Sequence, residues 1–139
     1  MNSAEEVAAK LRAAWAKGPV AGIRVLGSLY ADSVEIHHVP PMPGDGMWEG
    51  AKYGAAIQQL YDGTLEERIS GFRQEVQITV MGDEILSDNL FSGTLKDGTP
   101  LRHRVTGLNW VKNGKIVKGV TIYNSREPSW EALLKAMSP

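Results

Sequence analysis

The chain of 139 residues fits a single domain spanning 1–139, and its 42% hydrophobic and 22% charged residues are those of a globular protein with one core. A formal net charge of −1 leaves no electrostatic footprint for nucleic acid or an anionic membrane, and the lack of cysteine excludes disulfides, thiolate nucleophiles and thiolate metal sites. No apolar run nears the ~20 residues of a membrane span. The charged, amphipathic opening MNSAEEVAAKLRAAW lacks the basic-then-apolar order of a signal peptide, so a cytoplasmic location is expected.

In chain order, Ser3 with Glu6 reads as a capping box. Val7, Leu11, Ala14 and Trp15 then recur at helical spacing until Gly18-Pro19 stops the helix. A second helix over 20–30 carries Ile23, Leu26 and Tyr30 on one face. The stretch VEIHHVP, 34–40, alternates like a strand. PPMPGDGMWEG is too rich in Pro and Gly for a regular element. Its Met42, Met47 and Trp48 either close over a cavity as an apolar lid or simply pin the loop to the core. A third helix is expected over 51–61, with Tyr53, Ile57, Leu60 and Tyr61 on its apolar face and Gly63 at its end.

Strands are expected over 72–81, 84–95, 101–111 and 115–124. MGDE, KDGT and KNGK connect them, each with Gly beside a polar residue as hairpins require. A last helix over 129–137 starts at Ser129 after Pro128. Helices first and strands later argue an α+β fold, with helices covering one face of a curved sheet. A long sheet wrapped over helices leaves a concave apolar cavity, the usual place for a small ligand.

Three stretches in their order and spacing, LYADSVEIHHV, WEGAKYGAAIQQLYDG and LNWVKNGKIVKGVTIYN, resemble the nuclear transport factor two-like superfamily, in particular its SnoaL-like and ketosteroid-isomerase-like branch. The resemblance runs from the first helix to Asn124. It implies a cone-shaped curved antiparallel sheet wrapped over N-terminal helices, a cystatin-like roll. It implies no single activity, because this fold hosts isomerases, cyclases, dehydratases, epoxide hydrolases and plain binders. The family's general-base Asp position falls on His38, its hydrogen-bond-donating Asp on Gly107 and its oxyanion-hole Tyr near Leu11. GVTIYN offers Thr121 and Asn124 where epoxide-hydrolase-like members carry catalytic Asp, and RVTGLNWV has no carboxylate for the SnoaL-like acid-base Asp. The chain keeps the scaffold and departs from each familiar catalytic set, which argues against a standard steroid isomerase.

Strand alternation separates the two histidines. Val34, Ile36 and His38 share the apolar face, while Glu35, His37 and Val39 share the other. Adjacent strand residues cannot enter one pocket, and no H-x-x-x-H spacing exists, so no metal is expected. No cofactor is expected either. In the strand over 101–111, Leu101, His103, Val105, Gly107, Asn109 and Val111 share a face that the resemblance places inside, opposite Arg102, Arg104, Leu108 and Trp110. His38, His103 and Asn109 would then line one cavity as acid-base group and hydrogen-bond donors. Ile36, Trp48, Tyr53, Val105, Gly107 and Tyr123 would contact the ligand.

Each choice has a plainer alternative. His38 is either a general base, for which the ordinary histidine pKa of ~6.5 is suited, or a cavity histidine that only hydrogen-bonds a neighbour. His103, flanked by arginines, reads more simply as structural. Asp88 reads most simply as a salt-bridge partner of Arg102 or Arg104. Two functions follow. One is proton transfer on a small apolar oxygenated molecule, of isomerase, cyclase or lyase type. The other is ligand binding or dimeric interaction without chemistry. A homodimer through the outer sheet face is expected, since Leu108, Trp110 and Tyr123 would otherwise leave an apolar patch exposed.

Overall fold

The computed structural model describes residues 2–39 and 66–137. Within them, α1 (Ser3–Trp15) and α2 (Pro19–Ser28) lead into β1 (Tyr30–Val39). A short turn, α3 (Glu66–Arg68), precedes β2 (Ile69–Met81), β3 (Glu84–Leu95), β4 (Pro100–Lys112) and β5 (Lys115–Tyr123), and α4 (Trp130–Met137) ends the chain. The expected α+β fold is found: one curved sheet, in the order β1-β5-β4-β3-β2, carries helices on its inner face. β2 to β5 form the antiparallel meander read from the sequence. β1 instead joins β5 in parallel, so the sheet is mixed at that edge.

Local chemistry sets the element ends. The α1 capping box lies one residue earlier than Ser3 and Glu6. The Asn2 side chain accepts from the Glu5 N–H at 2.8 Å, and the Glu5 carboxylate accepts from the Asn2 N–H at 3.3 Å. Ser3 is left to accept from the Gly114 N–H, which ties α1 to the β4–β5 turn. That turn has positive φ at both central residues, Asn113 (52°) and Gly114 (76°), the condition a two-residue type I′ hairpin imposes. α2 stops at Ser28, and Tyr30 opens β1 rather than closing a helix face. The cause is tertiary, because the Leu29 carbonyl accepts from the Ile116 N–H of β5 at 2.8 Å and draws the chain onto the sheet edge.

The core has two parts. Val7, Ala8, Leu11, Val34, Ile85 and Ile116 pack under α1. Ile69, Phe91, Leu101, Val105 and Tyr123 pack with Leu133 of α4. Trp15, Leu26, Tyr30 and Ile36 touch both parts and therefore stand between them. Leu11, onto which the resemblance laid a tyrosine position, is 3% exposed and belongs to the first cluster.

Leu86, Leu108 and Val120 are in register on the outer face, with Ile122 and Val39 paired beside them. Trp110 is also on this face, its indole N–H donating to Glu84 at 2.8 Å with Lys118 over the ring. Tyr123, expected here as part of an exposed patch, is 7% exposed and faces inward. A bulge is responsible. Val111 pairs with Ile116 but Trp110 pairs with Lys118, so one extra residue in β5 reverses which residues face the core.

Candidate functional site

A cavity of about 80 Å³ lies where the two core clusters meet. Trp15, Ile23 and Leu26 cover it from the helices, and Tyr30 from the start of β1. Ile36, Phe91, Val105 and Tyr123 form its apolar wall on the sheet. Its remaining lining is polar but uncharged: Gln74, Ser87, Asn89, Asn109 and Thr121, with Gly107 and Gly119 between them. Among the described lining residues there is no carboxylate, lysine or arginine.

Strand register explains why these side chains meet. Ser87 pairs with Gly107, Gly107 with Thr121, and Thr121 with His38, giving one row across four strands. The next row is Ile85, Asn109, Gly119 and Ile36. Paired residues share a sheet face, so both rows line the concave side. The glycines let neighbouring side chains close over the backbone there. A Cβ on Gly119 would lie 2.8 Å from Asn109 Oδ1 and 2.9 Å from Ile36 Cδ1, and one on Gly107 would lie 2.5 Å from Ser87 Oγ.

His38 stands at the end of the first row, half-buried, with its ring centroid 6.0 Å from that of Tyr123. It borders the enclosed space rather than lining it. His37 points outward, as alternation requires, with its Nε2 4.0 Å from Glu35 and both side chains largely exposed. Ile36, Val105, Gly107, Asn109 and Tyr123 come together in the cavity. Trp48 and Tyr53, together with Met42, Met47, Tyr61 and the third helix, lie outside the described residues.

His103 does not join Asn109 in the cavity. It faces inward, as its alternation predicts, but is sealed beneath the start of α4 with 0% exposure. Its Nδ1 is 2.9 Å from Ser129 Oγ and 3.2 Å from the Glu127 carboxylate. The Ser129 hydroxyl donates to the Arg102 carbonyl. Ser129 thus accepts from the histidine, which fixes the proton on Nδ1, and the buried Nε2 has no partner among the described residues. Burial pushes the His103 pKa below its ordinary value, against the opposing pull of Glu127.

The stability consequence has a definite sign. The unfolded chain takes up a proton near the ordinary pKa of ~6.5, while the folded chain resists it to lower pH. His103 therefore contributes stability that is present above that value and is lost as pH falls toward the lowered folded pKa. Thermal unfolding followed between pH 7.5 and 5 should show a falling Tm, and His103→Gln should flatten that part of the profile. Superimposable parent and variant profiles would show the assignment to be mistaken.

Asp88 faces outward, 3.7 Å from Arg104, the salt bridge that is its plainer reading. Gln74 and Ser87 were missed by the sequence reading. Their signal was alternation on β2 and β3: Ile85 and Phe91 are core residues, so Ser87 and Asn89 share their face. Among the described residues no three side chains of metal-ligating type come together, and no helix is long and apolar enough to cross a membrane.

No family model matches the sequence, and no curated protein does. Solved structures match it in shape. A nuclear transport factor two-like protein from Burkholderia thailandensis is 21% identical with TM-score 0.68, covering 100% of both chains. A putative SnoaL-like polyketide cyclase from Jannaschia is 14% identical with TM-score 0.63, covering 98% of this chain and 92% of its own. An LEH-like epoxide hydrolase from M. tuberculosis is 15% identical with TM-score 0.61, covering 97% of this chain and 91% of its own.

Proposed function

Because the chain has the nuclear transport factor two-like fold, in the form shared with SnoaL-like proteins, we propose that it binds a small apolar oxygenated molecule in the inner cavity and moves a proton on it. The observation that carries this reading is the row Ser87–Gly107–Thr121–His38. It sets an imidazole at one end of an uncharged, donor-lined trough. His38 takes a proton from carbon beside a carbonyl. The C–H electron pair becomes the C=C bond, the carbonyl π pair moves onto oxygen, and the Asn109 amide N–H donates to that oxygen. Return of the proton to the same or a neighbouring carbon gives exchange or isomerisation. Two of the structures similar to this one are named as a polyketide cyclase and an epoxide hydrolase, so catalysis on small molecules has precedent in this shape. Solvent deuterium exchange into the α-positions of a simple ketone tests the reading, with His38→Gln compared against His37→Gln.

A binding role without chemistry is the second reading, and the lack of any carboxylate among the described lining residues favours it. Saturable ketone binding with no exchange above background would select it.

The outer sheet face is proposed to hold a second copy of the chain. Val39 is 51% exposed and Ile122 40%, and they lie beside the apolar row Leu86–Leu108–Val120, which ends at His37, so the patch draws residues from four strands. Sedimentation at micromolar concentration should give a dimer, and Val39→Lys with Ile122→Lys should convert it to a folded monomer. A parent chain that sediments as a monomer would refute the interface.

A further inference from the structure

Taking the cavity as the ligand site proposed above, we infer that Ser87 and Gly107 form a notch for the carbonyl oxygen of a small, neutral, planar carbonyl compound such as a cyclic ketone, with the Ser87 hydroxyl as a donor. The hydrogen-bond pattern around Asn89 fixes the direction of that hydroxyl. The Val105 carbonyl can only accept, so the Asn89 amide atom 3.1 Å from it is the nitrogen. The same nitrogen lies 3.2 Å from Ser87 Oγ, and the Asn89 oxygen accepts from Gln74 Nε2 at 3.0 Å. Ser87 Oγ therefore receives an N–H from Asn89, and its own proton has no acceptor among the described residues.

That proton is placed to meet a ligand. Ser87 is in register with Gly107, and its oxygen leans over the face of the glycine, 2.5 Å from where a Cβ would be. Thr121 is the next residue in the row beyond Gly107, and Asn109 lies two positions along β4. Neither side chain has a hydrogen-bond partner among the described residues, so three donors face the cavity beside Gly107, whose own Cβ position the Ser87 oxygen covers. An oxygen accepting from them needs no counter-charge. A carboxylate would surrender its hydration without a lysine or arginine in the described lining to receive it, which selects a neutral acceptor. The described residues enclose this space of about 80 Å³ only in part, so the carbonyl end of a small ring can enter it while the rest of the ring extends beyond.

The test is binding of cyclopentanone labelled with ¹³C at its carbonyl, titrated by NMR at pH 8 beside cyclopentane and cyclopentanecarboxylate. The ketone should bind saturably with its carbonyl carbon shifted downfield, and should outcompete both controls. Ser87→Ala should weaken it about three- to tenfold, as the loss of one hydrogen bond does, and reduce the downfield shift. Gly107→Ala sets a methyl 2.5 Å from Ser87 Oγ, which must turn away, so affinity should fall at least as far as in Ser87→Ala in a protein that circular dichroism shows folded. Asn89→Asp replaces N–H donors by acceptors, so the Ser87 proton should turn toward residue 89 and the bound carbonyl shift should fall to its Ser87→Ala value. Equal affinity and equal shift in parent and Ser87→Ala, or carboxylate binding as tight as that of the ketone, would overturn the notch. Binding is read here without turnover. Failure of Ser87→Ala to matter would leave the His38 proposal standing, and loss of exchange in His38→Gln with ketone binding intact would leave the notch standing.

Discussion

In D₂O, this protein should exchange the α-protons of cyclopentanone faster than free imidazole does at the same concentration, and His38→Gln should lose at least ~10²-fold of that acceleration. Glutamine keeps part of the size and hydrogen bonding of histidine but cannot carry a proton between carbon and solvent. The loss should appear in turnover rather than in ketone affinity, because the groups proposed to hold the carbonyl oxygen, Asn109 and Ser87, are untouched. His37→Gln is the matched control. Its side chain is exposed on the opposite face, with Glu35 near it, so exchange should be unchanged. A His38→Gln variant that exchanges as fast as the parent would remove the catalytic reading and leave a binding protein with a structural histidine.

Gly22→Ala should destabilise the fold, although intrinsic helix propensity alone predicts the reverse. Gly22 lies within α2, where alanine is favoured over glycine by about 1 kcal/mol. Its missing side chain, however, is where α1 packs: a Cβ at this position would overlap the Trp15 ring at three of its carbons. Trp15 cannot yield freely, since it touches both core clusters and covers the cavity. Overpacking of this kind costs about 1–3 kcal/mol, which outweighs the propensity gain at the upper end. The expected result is a Tm lowered by several degrees, at roughly 4 °C per kcal/mol for a chain of this size. Adding Trp15→Leu should restore part of it, because the two side chains compete for one space. A Gly22→Ala variant more stable than the parent would show that the ring has another place to go.

The sequence by itself determined most of what depends on neighbours along the chain, although the α1 capping box fell on Asn2 and Glu5 rather than Ser3 and Glu6. Period-two alternation sent His37 and His38 to opposite faces and placed Val105, Gly107 and Asn109 together, because side chains on a strand have no other choice. Asn113-Gly114 fixed a two-residue hairpin, since few residue pairs accept positive φ at both positions. The order of helices and strands, with three stretches of familiar spacing, set the fold class.

What depended on partners distant in the chain was decided only by tertiary structure. Alternation says which residues share a face but not which strand lies alongside, so the parallel pairing of β1 with β5 was not visible in LYADSVEIHHV. His103 was correctly turned inward, yet its surroundings come from Glu127, Ser129 and Trp130, brought over it by the docking of α4. The row from His38 to Ser87 likewise exists only because four strands agree in register. Tyr123 gives the physical reason in its simplest form. Counting by twos from the buried Ile116 puts Tyr123 outside, but β5 carries one residue more than β4 between their paired positions. A single unpaired residue reverses the facing of every side chain after it, which brings Gly119, Thr121 and Tyr123 into the cavity.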